Sequence, residues 1–127
     1  MERQPMIVAG FGFRAAASHA SLQSAFDGAA ADRIVDAVAA PADKAGAACL
    51  SGWATARDLP VWPVSADQMQ AVCTATQSAH SLSRRGTGSV AEAVALAAAG
   101  PGARLLVHRH ISQDRLATCA IAIGKDT

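Results

Sequence analysis

The sequence predicts a single three-layer α/β/α domain over residues 1–127, with a largely parallel or mixed sheet of about five strands. Short apolar segments alternate with helical patterns along most of the chain, as in sheets covered by helices. A length of 127 residues allows one hydrophobic core but not two full-sized domains. Because 51% of the residues are hydrophobic and only 4% are aromatic, we expect a core built from alanine and aliphatic side chains.

Four elements are predicted in the first part of the chain. The apolar run Met6–Ala9 is a buried strand that a glycine ends, and Ser18–Ala31 has the apolar spacing of a helix. The Ile- and Val-rich segment Arg33–Ala39 suits a second strand, which a nearby proline ends. Residues 43–57 form a helical stretch that two glycines weaken. The first part of the chain is therefore predicted to run in the order strand, helix, strand, helix.

The next elements are a short strand, a helix and a polar loop. Val61–Val64 is predicted as a strand at the sheet edge, since prolines stand at its start and inside it. The pattern Ser65-x-x-Gln68 is a capping box, so a helix is expected to run from it to about Thr76. Residues 77–88 contain Ser, Arg and Gly and almost nothing apolar, which predicts a polar loop.

The last elements are a helix and two strands. Ser89-Val90-Ala91-Glu92 is a capping box followed by alanine-rich sequence, and Gly100-Pro101 is a typical helix end. Leu105–His108 and Ala117–Ile123 are apolar runs that complete the predicted sheet.

Composition excludes several classes of function. A formal net charge of +1, without a basic stripe interleaved with aromatics, argues against nucleic acid as a partner. Every apolar run is too short to cross a bilayer, so no membrane partner is expected. The start of the sequence lacks a secretory pattern, and we therefore expect a cytoplasmic protein. The three cysteines, Cys49, Cys73 and Cys119, are far apart, which argues against a disulfide framework or a zinc site.

The first candidate for chemistry is the segment Gly10-Phe11-Gly12-Phe13-Arg14. It is predicted to connect a strand to a helix, where glycines let the backbone approach a ligand. Gly10, Gly12 and Ala15 also match a permissive dinucleotide fingerprint, G-x-G-x-x-A. The alternative is a tight turn without a ligand. Arg14 favours the ligand, because a guanidinium beside exposed N–H groups suits a carboxylate or phosphate.

The second candidate is a glycine-rich loop that ends at the start of a helix. Two arginines beside a helix N-terminus would attract an anion. The alternative is that the last serine and the glutamate only cap the helix, while the arginines are solvated. The residues concerned are Arg84, Arg85, Gly86, Gly88, Ser89 and Glu92.

Lys44 and two histidines complete the candidate residues. Lys44 stands at the start of a predicted helix, against the local dipole, although a plain exposed lysine explains it equally well. His108 and His110 would face the same side of a regular strand. No carboxylate or cysteine cluster accompanies them in the sequence, so we expect no metal and no cofactor.

Taken together, these segments resemble, in order and spacing, the CobE family of cobalamin biosynthesis, which is shared with the C-terminal domain of CbiG. The resemblance extends from about Ile7 to Ile123, and its most specific part is Gly86-Thr87-Gly88-Ser89-Val90-Ala91-Glu92-Ala93. The other segments that carry it are Gly10–Arg14, Lys44 and residues 117–122. The chain has Ala47 where the family usually carries an acidic residue, and Arg109 where the family has a lysine.

The resemblance implies a small α/β protein that acts in corrin-ring assembly. Three hypotheses follow. The first is a protein that binds a precorrin or corrinoid, as a carrier or accessory factor, with other corrin-pathway enzymes as further partners. The second is a hydrolase of the CbiG type, which opens a precorrin δ-lactone and releases acetaldehyde, with Lys44 or Glu92 assisting. The third is a nucleotide-binding or purely structural module built on Gly10 and Gly12.

Overall fold

In the computed structural model, five strands form one mixed sheet in the order β3-β2-β1-β5-β4. The structure describes residues 6–31, 33–70, 90–100 and 102–124. The strands are β1 (Ile7–Phe13), β2 (Ala37–Pro41), β3 (Val61–Val64), β4 (Arg104–Ile111) and β5 (Ala117–Ile123). The helices are α1 (His19–Ala30), α2 (Ala48–Ala56) and α3 (Val90–Ala99). Among the described residues, no helix has the length and apolar character to cross a membrane.

The sheet is mixed because the chain returns to its centre in a hairpin. Strands β1, β2 and β3 are parallel neighbours. Strand β5 lies antiparallel to β1 over seven residue pairs, from Ile7 with Ile123 to Phe13 with Ala117. Strand β4 then pairs antiparallel to β5. The α/β class and the five-stranded sheet are therefore confirmed.

Helices cover both faces of the sheet, which gives the three layers that the sequence predicts. On one face, α1 and α2 pack on β1 and β5 around a cluster that contains Phe11, Leu22 and Trp53. On the other face, α3 places Val94 against Val8, with Met69 beside them. Residues 66–70 are helical, and a capping box at their start is confirmed by hydrogen bonds between Ser65 and Gln68.

Aromatic rings contribute more to the core than the composition suggests. Phe11, Phe26 and Trp53 contact one another, with ring centroids 5.0 to 6.4 Å apart. The guanidinium of Arg57 lies over the rings of Phe26 and Trp53, and the indole N–H of Trp53 donates to the side chain of Gln23. The cluster joins α1, α2 and the centre of the sheet.

Two strand boundaries differ from the sequence prediction. Strand β1 continues through Gly10 to Phe13, because β5 pairs with it along its whole length. Strand β4 likewise extends past His108 to Ile111, since it follows β5 to the end of the hairpin. Both extensions depend on a partner strand that is distant in sequence from β1.

The second strand and its helix are shorter than predicted. Strand β2 begins at Ala37, because Asp36 is used to fasten the chain to β1: its carboxylate accepts from the backbone N–H of Ile7. Helix α2 begins at Ala48, since residues 42–46 form turns in which the backbone N–H of Lys44 donates to the carbonyl of Pro41. The predictions for residues 71–76, for the loop at 77–88 and for the cap at Ser89 lie outside the described residues.

Candidate functional site

An open cleft of about 640 Å³ lies at the end of the sheet where β1 and β2 finish. One wall is the turn after β2, and the other is the β4–β5 hairpin. The end of β1 forms the floor between them, and the first residue of α3 closes one side. The lining residues are Gly12, Phe13, Arg14, Pro41, Asp43, Lys44, Val90, Arg109, Ile111, Arg115, Leu116, Ala117 and Thr118.

The cleft is strongly cationic for a protein with a net charge of +1. Among the described residues, four positively charged side chains line it, Arg14, Lys44, Arg109 and Arg115, against the single carboxylate of Asp43. Within the part of the chain that the structure describes, no carboxylate oxygen lies within salt-bridge distance of any of these four side chains. The cleft therefore presents a net positive charge to an incoming ligand.

Lys44 is fixed in the first wall by contacts with the end of β1. Its ammonium donates a hydrogen bond of 3.0 Å to the carbonyl oxygen of Phe13 and lies 5.3 Å from the centre of the Phe13 ring. The ammonium has further N–H donors, which can face the cleft. The structure thus brings Lys44 and Arg14 together, as two residues of one site.

The second wall is also joined to the end of β1. The backbone N–H of Arg14 donates to the carbonyl of Leu116, at 2.9 Å. Consecutive residues at the end of β1 therefore hold both walls: Phe13 accepts from Lys44, and Arg14 donates to the hairpin. Between these walls, the side chains of Phe13 and Leu116 give the cleft an apolar part beside its charges.

The turn of the hairpin is anchored to helix α1 by Asp114. Its carboxylate accepts hydrogen bonds of 2.6 Å from the hydroxyl groups of both Ser112 and Ser21, and one from the backbone N–H of Leu116. These bonds, led by the one from Ser112, lower the pKa of Asp114 below its ordinary value of 3.8. The carboxylate is therefore charged at neutral pH.

Gly10 and Gly12 lie within β1, so the predicted glycine-rich turn between strand and helix is wrong. Gly10 pairs with Ala120 and packs directly under α3, where a Cβ would collide with the carbonyl of Ala91 and come within 2.6 Å of the backbone nitrogen of Ala95. This glycine serves helix packing. Only Gly12 lines the cleft, where it lies beside Thr118.

Glu92 belongs to α3 but is not among the residues that line the cleft. Its carboxylate accepts from the backbone N–H of Arg109 at 3.0 Å and lies 3.3 Å from Nδ1 of His108. Glu92 thus ties α3 to β4 at the position from which the Arg109 side chain reaches the cleft.

His108 and His110 do not face the same side of β4. His108 contacts Glu92 on α3, whereas the ring of His110 packs against Gly28 of α1, on the opposite face of the sheet. The reason is a register shift in the pairing of β4 with β5 between Val107 and His110, which breaks the alternation of side chains. Among the described residues, no three His, Cys, Asp or Glu side chains are grouped as metal ligands.

The remaining predicted residues cannot be placed. Arg84, Arg85, Gly86, Gly88 and Ser89 lie outside the described residues, so their role stays a prediction. Val90, where the description resumes, lines the cleft. Of the cysteines within the described ranges, Cys49 is partly buried, and burial of Cys119 raises the pKa of its thiol well above the ordinary value.

Sequence reasoning missed Arg115 and gave Arg109 no place in a site. Both come from the hairpin, whose tip lies at the end of β1 only because β5 is the antiparallel neighbour of β1. A signal was present in Ile111-Ser112-Gln113-Asp114-Arg115, a polar turn between two apolar runs. It predicts a hairpin, but not the strand beside which the hairpin lies.

Comparisons with known proteins place this arrangement in one family. Residues 7–122 match the family described as cobalamin synthesis G C-terminus. The crystal structure of cobalamin biosynthesis protein chiG from Agrobacterium tumefaciens str. C58 is 35% identical, with a TM-score of 0.77, over 95% of this chain and 100% of that one. The structure of CobE, a protein from the cobalamin (vitamin B12) biosynthetic pathway, is 26% identical, with a TM-score of 0.80, over 100% of this chain and 96% of that one. None of the curated proteins compared matches the chain.

Proposed function

The chain belongs to the cobalamin synthesis G C-terminal family and is a cobalamin biosynthesis protein of the CbiG C-terminal or CobE type, and from this we propose that it binds a precorrin or corrinoid intermediate in its cationic cleft. The family predicted from the glycine-rich and Lys44 motifs is thereby confirmed. The single observation that carries the proposal is the set of four cations, Arg14, Lys44, Arg109 and Arg115, around a cleft with one acidic residue.

The chemistry of the cleft matches that of a carboxylate-rich tetrapyrrole. Precorrins carry acetate and propionate side chains around an apolar macrocycle. Arginine forks bind carboxylates with two parallel hydrogen bonds, and ammonium groups supply further donors. The apolar side chains of Phe13, Ile111 and Leu116 offer a surface to the ring between these charges. The cleft volume of about 640 Å³ lies within the range of small-molecule sites.

The proposed role is that of a carrier or accessory factor that holds the intermediate for another corrin-pathway enzyme. An open cleft supports this role, because the ligand can enter and leave without unfolding of the site. The lactone-opening alternative loses one of its two candidate groups, since Glu92 is used to fasten α3 to β4. The nucleotide alternative loses the turn on which it depended, since Gly10 packs under α3.

The test is a titration with two corrinoids that share a ring but differ in charge. Cobyrinic acid carries free carboxylates, whereas cobinamide carries amides in their place. We expect visible-absorbance titration to show binding of cobyrinic acid at least tenfold tighter than binding of cobinamide, because only carboxylates pair with the cations. Equal affinities, or no binding of either, would contradict the proposal. Acetaldehyde release from a lactone-bearing precorrin would show a reaction in addition to binding.

Arg14→Ala tests the site itself. We expect it to weaken the binding of cobyrinic acid by about 1 to 3 kcal/mol, which is the cost of a lost charge-assisted hydrogen bond. The matched control is Arg104→Ala, which removes an exposed arginine at the opposite end of the sheet, where Arg104 pairs with Ile123. If both variants bind like the wild type, Arg14 lies outside the binding site.

A further inference from the structure

We propose that Asp114 is a positioning residue, which locks the turn between β4 and β5 onto helix α1 and so holds Arg115 in the cleft. The inference rests on the proposed function, because it assigns Asp114 a part in binding the carboxylate-rich ligand. Asp114 itself is not among the residues that line the cleft. Its effect on the ligand must therefore pass through Arg115.

The β4–β5 hairpin supplies a large part of the cleft lining. Six of the thirteen lining residues belong to it, two of them arginines: Arg109, Ile111, Arg115, Leu116, Ala117 and Thr118. The opposite wall and the floor are held by β2 and β1, in the middle of the sheet. The hairpin tip extends beyond the paired strands, so its position needs contacts of its own.

Three hydrogen bonds at the hairpin tip converge on the carboxylate of Asp114, while another, from the backbone N–H of Gln113 to the hydroxyl of Ser24 in α1, is independent of it. Oδ2 of Asp114 accepts from the hydroxyl of Ser21 in α1, and Oδ1 accepts from the hydroxyl of Ser112 and the N–H of Leu116. Ser21 and Ser112 are buried, with 1% and 2% of their surface exposed. Both buried hydroxyls use the carboxylate of Asp114 as an acceptor, so the loss of that acceptor would disturb the contact between the hairpin tip and α1.

The backbone of Arg115 has an unusual conformation. Its φ is 64°, a conformation that residues other than glycine rarely adopt. Such a conformation persists where the surrounding contacts determine it. Here the N–H of Arg115 donates to the carbonyl of Ser112, and the next residue donates to Asp114. The Asp114 network thus fixes the residue whose guanidinium lines the cleft.

A double-mutant cycle with Asp114→Asn and Arg115→Ala tests the inference, with cobyrinic acid as the probe. We expect each single variant to weaken binding, about threefold to tenfold for Asp114→Asn and about tenfold for Arg115→Ala. The double variant should bind no more weakly than Arg115→Ala alone, because Asp114 acts through Arg115. Removal of a negative charge near a cationic cleft would by itself strengthen anion binding. A loss of affinity in Asp114→Asn would therefore show that Arg115 is no longer held in place in the cleft.

The matched control is Asp27→Asn, which makes the same change at a different exposed carboxylate. Asp27 lies on α1, and its carboxylate accepts a hydrogen bond from Gln23. This variant should bind like the wild type. Amide hydrogen exchange gives a second readout: Leu116 and Ala117 should exchange at least tenfold faster in Asp114→Asn and at the wild-type rate in Asp27→Asn.

The possible failures are distinct. If the wild type binds cobyrinic acid and Arg115→Ala weakens the binding, but Asp114→Asn does not, the role of Asp114 is overturned and the proposed function stands. If the losses of affinity in the two single variants add in the double variant, the role of Asp114 is also overturned, because Asp114 then acts independently of Arg115. A wild-type chain that binds no carboxylate-bearing corrinoid overturns the proposed function and, with it, this role.

Discussion

Gly10 illustrates, at the scale of single residues, how the absence of a side chain sets the distance between two layers. Strand β1 and helix α3 approach so closely that the place of a Cβ is taken by the backbone of Ala91 and Ala95. Backbone atoms cannot move aside as a flexible side chain can. The glycine pair that suggests a ligand-binding turn in the sequence is in part a packing device of the sheet.

Gly10→Ala should lower the free energy of unfolding by about 3 kcal/mol, because the added methyl forces α3 away from β1. Urea denaturation measures this difference. The matched control is Gly46→Ala, since no atom lies within 4 Å of the place of a Cβ at Gly46. That variant should be as stable as the wild type or slightly more stable. A Gly10→Ala variant of wild-type stability would show that α3 does not approach β1 this closely.

The lowered pKa of Asp114 predicts that the stability of the protein depends on pH. Hydrogen bonds from Ser112, Ser21 and Leu116 favour its charged form, so its pKa in the folded chain lies below the unfolded value of 3.8. The unfolded chain then binds more protons, and the contribution to stability is fully present above pH 3.8 and is lost as the pH falls through the folded pKa. Asp114→Asn should therefore have a lower Tm than the wild type at pH 7, and the difference should shrink below pH 3.8. Thermal unfolding from pH 7 to pH 2.5 checks this, and a constant difference would contradict it.

At the scale of elements, α2 has an N-cap that contributes no side-chain hydrogen bond. Ala47 takes the extended conformation of an N-cap, with φ −62° and ψ 139°, but has no oxygen to offer the first turn. Other members of the family usually carry an acidic residue at this position. In this fold it would cap α2, which gives that residue a structural reason to be there.

Ala47→Asp should raise the free energy of unfolding by about 1 kcal/mol, because its carboxylate can accept from the first N–H groups of α2. For a domain of this size we expect Tm to rise by roughly 4 °C. Ala47→Asn separates the hydrogen bond from the charge, and it should gain most of the same stability. Two variants no more stable than the wild type would mean that α2 does not begin at Ala48.

Elements with strong local signals could be predicted, whereas those that depend on distant partners could not. Val61–Val64 and Ala117–Ile123 agree with the sequence prediction to the residue, because breaks in the sequence mark both ends. The ends of β1 and β4 were missed, since both are set by pairing with β5. Local motifs point to Arg14 and Lys44, which line the cleft, but not to Arg115, because its place there depends on the order of the strands.

At the scale of the whole molecule, charge is unevenly distributed. The chain has 11 basic and 10 acidic residues, yet four basic residues and one acidic residue of the described ranges line the cleft. The rest of the protein is therefore close to neutral or slightly acidic. Attraction of an anionic ligand comes from one end of the sheet, not from the protein as a whole.

Salt should therefore weaken binding selectively. Between 0.05 M and 0.5 M NaCl, the affinity for cobyrinic acid should fall roughly tenfold, because exposed charge pairs are screened over a few ångströms at the higher concentration. Affinity for cobinamide should change little over the same range. Titrations at four salt concentrations measure both slopes. A salt-independent affinity for cobyrinic acid would mean that apolar contacts dominate binding.

The pairing of β1 with β5 has a consequence for how the protein is made. These central neighbours are separated by about a hundred residues, so β1 leaves the ribosome long before the strand that completes it. Until then one edge of β1 is unpaired, and a long loop must close before the sheet gains its centre. Arg109 and Arg115 belong to the β4–β5 hairpin, which is also synthesised late. The proposed binding of a carboxylate-rich ligand would therefore require a closed sheet, so such binding would report directly on completed folding.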